Sequence, residues 1–81
     1  MLSKRYTEAC LLWITCCFLE QSPEMLRSER CMSELGADSF DMVELQALVE
    51  EAFDIHIDTP LATHITFDDL LKQVLRIDSV L

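Results

Sequence analysis

The sequence predicts an all-α fold: a four-helix bundle with a short third helix and a long loop between the first two helices. Three observations lead there. Eighty-one residues suffice for one small domain over 1–81, and a bundle built from local contacts is the economical way for so short a chain to bury a core. One glycine and two prolines supply too few turn formers for a meander of short strands. Apolar residues recur at spacings of three and four in three long stretches, as in helices with one face turned inward.

Residues 4–19 read as the first helix. Tyr6, Cys10, Trp13, Ile14, Cys17 and Phe18 make one apolar face, while Leu11, Leu12 and Cys16 fall outside it. The helix is therefore apolar nearly all round, which fits either deep burial or an exposed patch used for docking or self-association. Lys4 and Arg5, ahead of an apolar run that ends at Leu19, superficially resemble a signal peptide. Glu8 interrupts that flank, no small-residue cleavage site follows, and the run is too short to span a bilayer. The segment is accordingly read as part of the fold.

Residues 20–37 form the long loop. Ser22 is placed to cap a helical turn starting at Pro23, with Met25 and Leu26 pinning it to the core. Cys31, Met32 and Leu35 are further anchors, while Glu29, Arg30 and Ser33 face water. Gly36 permits the turn into a second helix over about 39–53. Asp38 is its N-cap, and Asp41 three residues on completes a pattern close to a capping box. Leu45, Leu48, Val49, Ala52 and Phe53 are read as its core face, and Phe40, Val43 and Ala47 as a shallower strip.

Asp54 to Asp58 is an extended link. Thr59 and Pro60 then open a short third helix over about 59–64, one as cap and the other as first residue. Thr66 caps a fourth helix over about 67–77, with Asp69 at its third position. Phe67, Leu70, Leu71, Val74 and Leu75 give it a continuous core stripe, and Lys72 and Arg76 near its end suit the helix dipole.

Charge and cysteine usage exclude several classes of function. The formal charge is −9, and seven acids lie between Asp38 and Asp58 with no Lys or Arg among them. Such a field repels nucleic acid and anionic membranes and attracts basic protein surfaces. Cys10, Cys16, Cys17 and Cys31 contain no CxxC pair and suit neither a zinc site nor a disulfide scaffold. Reduced thiols in a cytoplasmic protein are the reading they support. His56 and His64 match no metal-ligand spacing and are read as surface or packing residues.

The stretch from Glu34 to Leu45 organises the rest. It sets Ser39 at the mouth of an acidic, amphipathic helix, three residues after the chain's only glycine. A phosphate-linked group carried on that hydroxyl would meet free N–H groups at the helix start. Beyond it, Phe40, Val43 and Ala47 lie among Asp41, Glu44, Glu50 and Glu51. An acid-rimmed apolar strip of this kind suits a basic groove on another protein. No catalytic constellation accompanies the serine: no histidine is near it in sequence, and capping explains Asp38.

Leu35-Gly36-Ala37-Asp38-Ser39-Phe40-Asp41, with Val43-Glu44-Leu45 and Glu50-Glu51-Ala52-Phe53-Asp54, closely resembles acyl carrier proteins. The resemblance runs over about residues 6–77 and is weakest in the first helix. It implies a bundle of acyl-carrier type and a carrier rather than an enzyme. It implies 4′-phosphopantetheine attached to Ser39 by a phosphopantetheinyl transferase, with Asp38 as cap and recognition residue for that synthase. The thiol of the arm would hold acyl groups for fatty-acid, polyketide or related lipid biosynthesis. Phe40, Asp41, Val43, Glu44, Ala47, Glu50, Glu51 and Asp54 match positions such carriers turn toward basic patches on acyl-transferring and condensing enzymes. Two departures stand out: Phe40 replaces a common leucine, and Leu11, Leu12 and Cys16 replace polar surface. An unmodified carrier-like interaction module is the alternative.

Overall fold

The computed structural model describes residues 4–79, so the two ends of the domain expected over 1–81 lie outside the described residues. In chain order the elements are α1 (Lys4–Leu19), α2 (Pro23–Arg27), a 3-10 segment (Met32–Leu35), α3 (Ser39–Phe53) and α4 (Phe67–Ser79). Among the described residues there is no strand, only an isolated antiparallel bridge between Cys31 and Thr66. The chain is all-α. No helix among these residues is long and apolar enough to cross a membrane.

α1 is the hub, packing against α2, α3 and α4. Its inward face differs from the one expected. Thr7, Leu11, Leu12 and Thr15 are buried, whereas Tyr6 and Trp13 stand 56% and 72% exposed. Two stripes compete on this helix with the same spacing. The one carrying threonines goes inward, where Thr15 satisfies itself by donating to the Leu11 carbonyl at 2.7 Å. The aromatic stripe is left outside, where the Tyr6 hydroxyl shares a hydrogen bond with Cys10 that raises its pKa. α1 ends on Glu20 in the left-handed region (φ 56°), with Gln21 N–H reaching back to the Cys16 carbonyl at 3.1 Å.

The other helices start as their caps dictate. The Ser22 hydroxyl accepts from Met25 N–H and Pro23 follows, so α2 forms and buries Leu26. Thr66 and Asp69 cap α4 reciprocally: Asp69 N–H donates to Thr66 Oγ1 at 3.1 Å, and Thr66 N–H to Asp69 Oδ2 at 3.0 Å. Those bonds hold the Asp69 carboxyl below its ordinary value. Phe67, Leu70, Leu71 and Val74 then fill the core with Leu11, Met42, Leu45 and Val49.

Two expectations are corrected. Residues 59–64 form bends and turns, not a short third helix. Their polar backbone groups have partners elsewhere: Leu61 N–H donates to Gln46 Oε1 at 3.0 Å, and the Thr63 carbonyl accepts from Ser33 N–H at 2.9 Å. A six-residue helix is too short to compete with those bonds. The fourth α-helix is instead the α2 turn within the long loop. On α3 the core face is Met42, Leu45 and Val49, while Leu48 and Ala52 are exposed and Phe53 is half-buried. Leu48 and Ala52 border a shallow groove against Ile14, where α1 and α3 diverge.

Thr7 Oγ1 is buried without a hydrogen-bond partner among the described residues. Replacing an unsatisfied buried hydroxyl by a methyl of the same shape removes a desolvation penalty. Thr7→Val is therefore expected to stabilise the fold by about 1 kcal/mol in denaturant unfolding. Thr15→Val, which breaks a made bond, gains less or loses.

Candidate functional site

Ser39 is the first residue of α3 and is exposed. Its position is fixed from both sides. Upstream, Leu35 and Ala37 are buried, and the 3-10 segment that ends at Leu35 is tied down by Met32 N–H donating to the Ile65 carbonyl at 2.9 Å. Gln21 Nε2 adds a bond to the Leu35 carbonyl at 3.1 Å. Gly36 closes the segment in the left-handed region (φ 96°). No atom lies within 4 Å of where a Cβ would sit, so backbone conformation alone calls for glycine here. Downstream, Met42 is buried and its N–H donates to the Asp38 carbonyl.

Asp38 and Asp41 form a full capping box. Asp41 N–H donates to Asp38 Oδ1 at 2.8 Å, and Asp38 N–H to Asp41 Oδ2 at 3.0 Å. The same reciprocal logic stiffens the approach to the site, where Cys31 N–H and thiol both reach Glu34 Oε1 and hold that carboxyl below its ordinary value. The box occupies the third N–H of α3 and leaves those of Ser39 and Phe40 directed out of the helix start. The Ser39 hydroxyl makes no hydrogen bond among the described residues. It is an accessible acceptor for a covalent group, with two N–H donors and a dipole beside it that favour an anion.

From Ser39 an apolar strip runs down the outer face of α3. Phe40 is 75% exposed, Val43 is 64% exposed, and Ala47 follows one turn on. The acids around it fall into two groups. Glu44, Glu51 and Asp54 are exposed and make no ion pair among the described residues. Asp54 also ends α3 in the left-handed region (φ 53°). Asp38, Asp41 and Glu50 are committed to the fold. Glu50 Oε2 accepts from Ile57 N–H at 2.8 Å and lies 3.4 Å from His56 Nδ1.

Gln46 has a structural part that sequence reasoning missed. Its Nε2 donates to the Ile57 carbonyl at 3.2 Å while its Oε1 accepts from Leu61 N–H. With Glu50 it straps the link after α3 back onto that helix. The one available signal was a glutamine amid apolar and acidic neighbours, which points to no partner by itself. His56 and His64 are exposed, and among the described residues no group of His, Cys, Asp and Glu could hold a metal ion. The four cysteines are free thiols, and burial raises the Cys16 thiol above its ordinary value.

No family model matches the chain, and no solved structure matches it significantly. The acyl carrier protein of Caulobacter vibrioides, in each of two strains, is 41% identical to it over 58 residues, covering 69% of this chain and 74% of the relative.

The two groups of acids are separable by stability. Glu50→Ala leaves the buried end of the Ile57 N–H without its acceptor and is expected to destabilise the fold by about 1–2 kcal/mol. Glu51→Ala, one residue on and without a partner to lose, is expected to leave the denaturation midpoint unchanged.

Proposed function

The chain belongs to the acyl carrier protein family, and we propose that Ser39 carries 4′-phosphopantetheine and that the protein presents acyl groups on it to partner enzymes. The observation that carries this reading is an exposed serine hydroxyl, without a hydrogen bond among the described residues, at the first position of a helix and between the buried anchors Ala37 and Met42. The residues present fit the group. Its phosphodiester would lie at the N–H groups of Ser39 and Phe40, where the dipole favours negative charge. Asp38 and Asp41 saturate each other's N–H groups and leave those two available. When bound, the group supplies a thiol on a long flexible arm, on which acyl groups travel as thioesters.

The chain's own part is attachment and address. A phosphopantetheinyl transferase would transfer the arm from coenzyme A to Ser39 Oγ, using Asp38 as part of its recognition. Phe40, Val43 and Ala47 would supply apolar contact to that enzyme and to acyl-transferring and condensing enzymes. Glu44, Glu51 and Asp54 would supply charge free to meet basic patches, with Asp41 and Glu50 adding to the field while holding the fold. This reading takes 1–81 as one carrier domain working in the cytoplasm, in fatty-acid, polyketide or related lipid biosynthesis.

Co-expression with a phosphopantetheinyl transferase is expected to add the mass of one phosphopantetheine, and Ser39→Ala to abolish the addition while leaving the circular dichroism unchanged. Failure with several transferases would favour the unmodified interaction module. Charge reversal at an exposed acid should act on encounter: Glu44→Lys is expected to lower kcat/KM of loading about tenfold at low salt, and less at high salt. An effect independent of salt would remove Glu44 from the docking surface.

A further inference from the structure

We propose that Gln21 is a positioning residue for the modification of Ser39: its side-chain amide, anchored on the end of α1, fixes the glycine turn from which the serine is presented. The inference rests on the reading of Ser39 as the attachment point. Gln21 stands just beyond α1, where the chain has turned through Glu20 in the left-handed region (φ 56°). Its own N–H donates back to the Cys16 carbonyl at 3.1 Å, a bond that closes the helix end. The backbone of Gln21 is therefore part of the rigid end of α1, and its side chain reaches elsewhere. Across 14 residues of chain, Nε2 donates to the Leu35 carbonyl at 3.1 Å.

The Leu35 carbonyl matters because of the peptide unit to which it belongs. That planar unit also carries the Gly36 N–H, which donates to the Ser33 carbonyl at 3.1 Å. One end of the plane is thus held within the 3-10 segment and the other by Gln21. The next plane is held through Ala37 N–H, which donates to the Met32 carbonyl at 3.0 Å. The orientations of these two planes set φ and ψ at Gly36, 96° and 4°. Glycine does not choose those angles by itself. It occupies positive and negative φ about equally, and no atom lies within 4 Å of a Cβ built on it to restrict the choice. Burial does not choose them either: Leu35 and Ala37 anchor side chains on both sides of the joint, and neither grips the plane between them. Hydrogen bonds decide the turn. Met32 and Ser33 are tied to Ile65 and Thr63 at the start of the 3-10 segment. Gln21 ties its end, the part nearest the serine. Asp38 and Ser39 follow directly, so a tilt at this joint is passed to the first turn of α3.

Gln21→Met keeps the length and shape of the side chain and removes the donor, and Gln21→Lys restores a donor on a slightly longer chain. On the full, unmodified chain, amide relaxation dispersion should find Gly36 and Ser39 in one state in the wild type and in exchange in Gln21→Met. The transferase then meets a smaller fraction of chains with the competent turn, so KM for loading should rise about threefold while kcat holds. Gln21→Lys should return both readouts toward the wild type. Gln46→Met, which loses two bonds to the link after α3, should lower the thermal midpoint and move neither readout. Unchanged Gly36 relaxation in Gln21→Met, or an unchanged KM, would overturn the proposal. So would a Gln21→Lys chain that behaves as Gln21→Met does, or a Gln46→Met chain whose KM rises as much. A wild-type chain that no transferase loads would overturn the reading of Ser39 and this proposal with it, whereas a loaded wild type and an equally well loaded Gln21→Met would sink the proposal alone.

Discussion

The placement of Ser39 depends on two backbone hydrogen bonds between segments that are far apart in sequence. Met32 and Ser33 donate their N–H groups to the carbonyls of Ile65 and Thr63, both at 2.9 Å. This pairing holds the 3-10 segment against the chain that leads into α4. From there, Gly36 turns the backbone and the Asp38–Asp41 box starts α3. Without it, the buried anchors Leu35 and Ala37 would have nothing fixed to pack on, and the serine would sit at the end of a free loop. Gln46 and Glu50 complete the frame from the other side, strapping residues 57 and 61 to α3. A small bundle has little apolar area with which to fix its loops, so these polar straps carry much of that task.

The result divides the molecule by face. α3 turns its outer side to water with an apolar strip and exposed acids. Its inner side closes the core through Met42, Leu45 and Val49. α1 touches every other helix and yet keeps a second aromatic face in solvent. The acids serve two ends as well. Asp38, Asp41 and Glu50 bond N–H groups and are structural before they are anything else, whereas Glu44, Glu51 and Asp54 are exposed and make no ion pair among the described residues. Net charge therefore describes the steering field, but not which side chains a partner can engage.

What was legible in the sequence was what local physics decides. The caps at Asp38 with Asp41 and at Thr66 with Asp69 join residues three apart, and the α4 stripe is written in one helix's own spacing, so both could be read directly. The exposed serine after the glycine turn belongs to the same class. The inward face of α1 could not be read, because two stripes share its spacing and the aromatic one looks the more apolar. Only packing against three neighbours selects the threonine stripe. The short helix expected over 59–64 failed for a non-local reason: its backbone partners come from Ser33 and Gln46, which no local pattern announces. The strap from Glu50 to Ile57 was hidden likewise, since a carboxylate on an acidic helix reads as surface charge until the turn after α3 folds back.

The most direct test of the central claim is the intact mass of the protein isolated from the cells that make it, with fragmentation to locate any added group. A chain heavier by one phosphopantetheine, borne on the peptide that contains Ser39, is the predicted result. A chain of bare mass with an unmodified Ser39 peptide would contradict it.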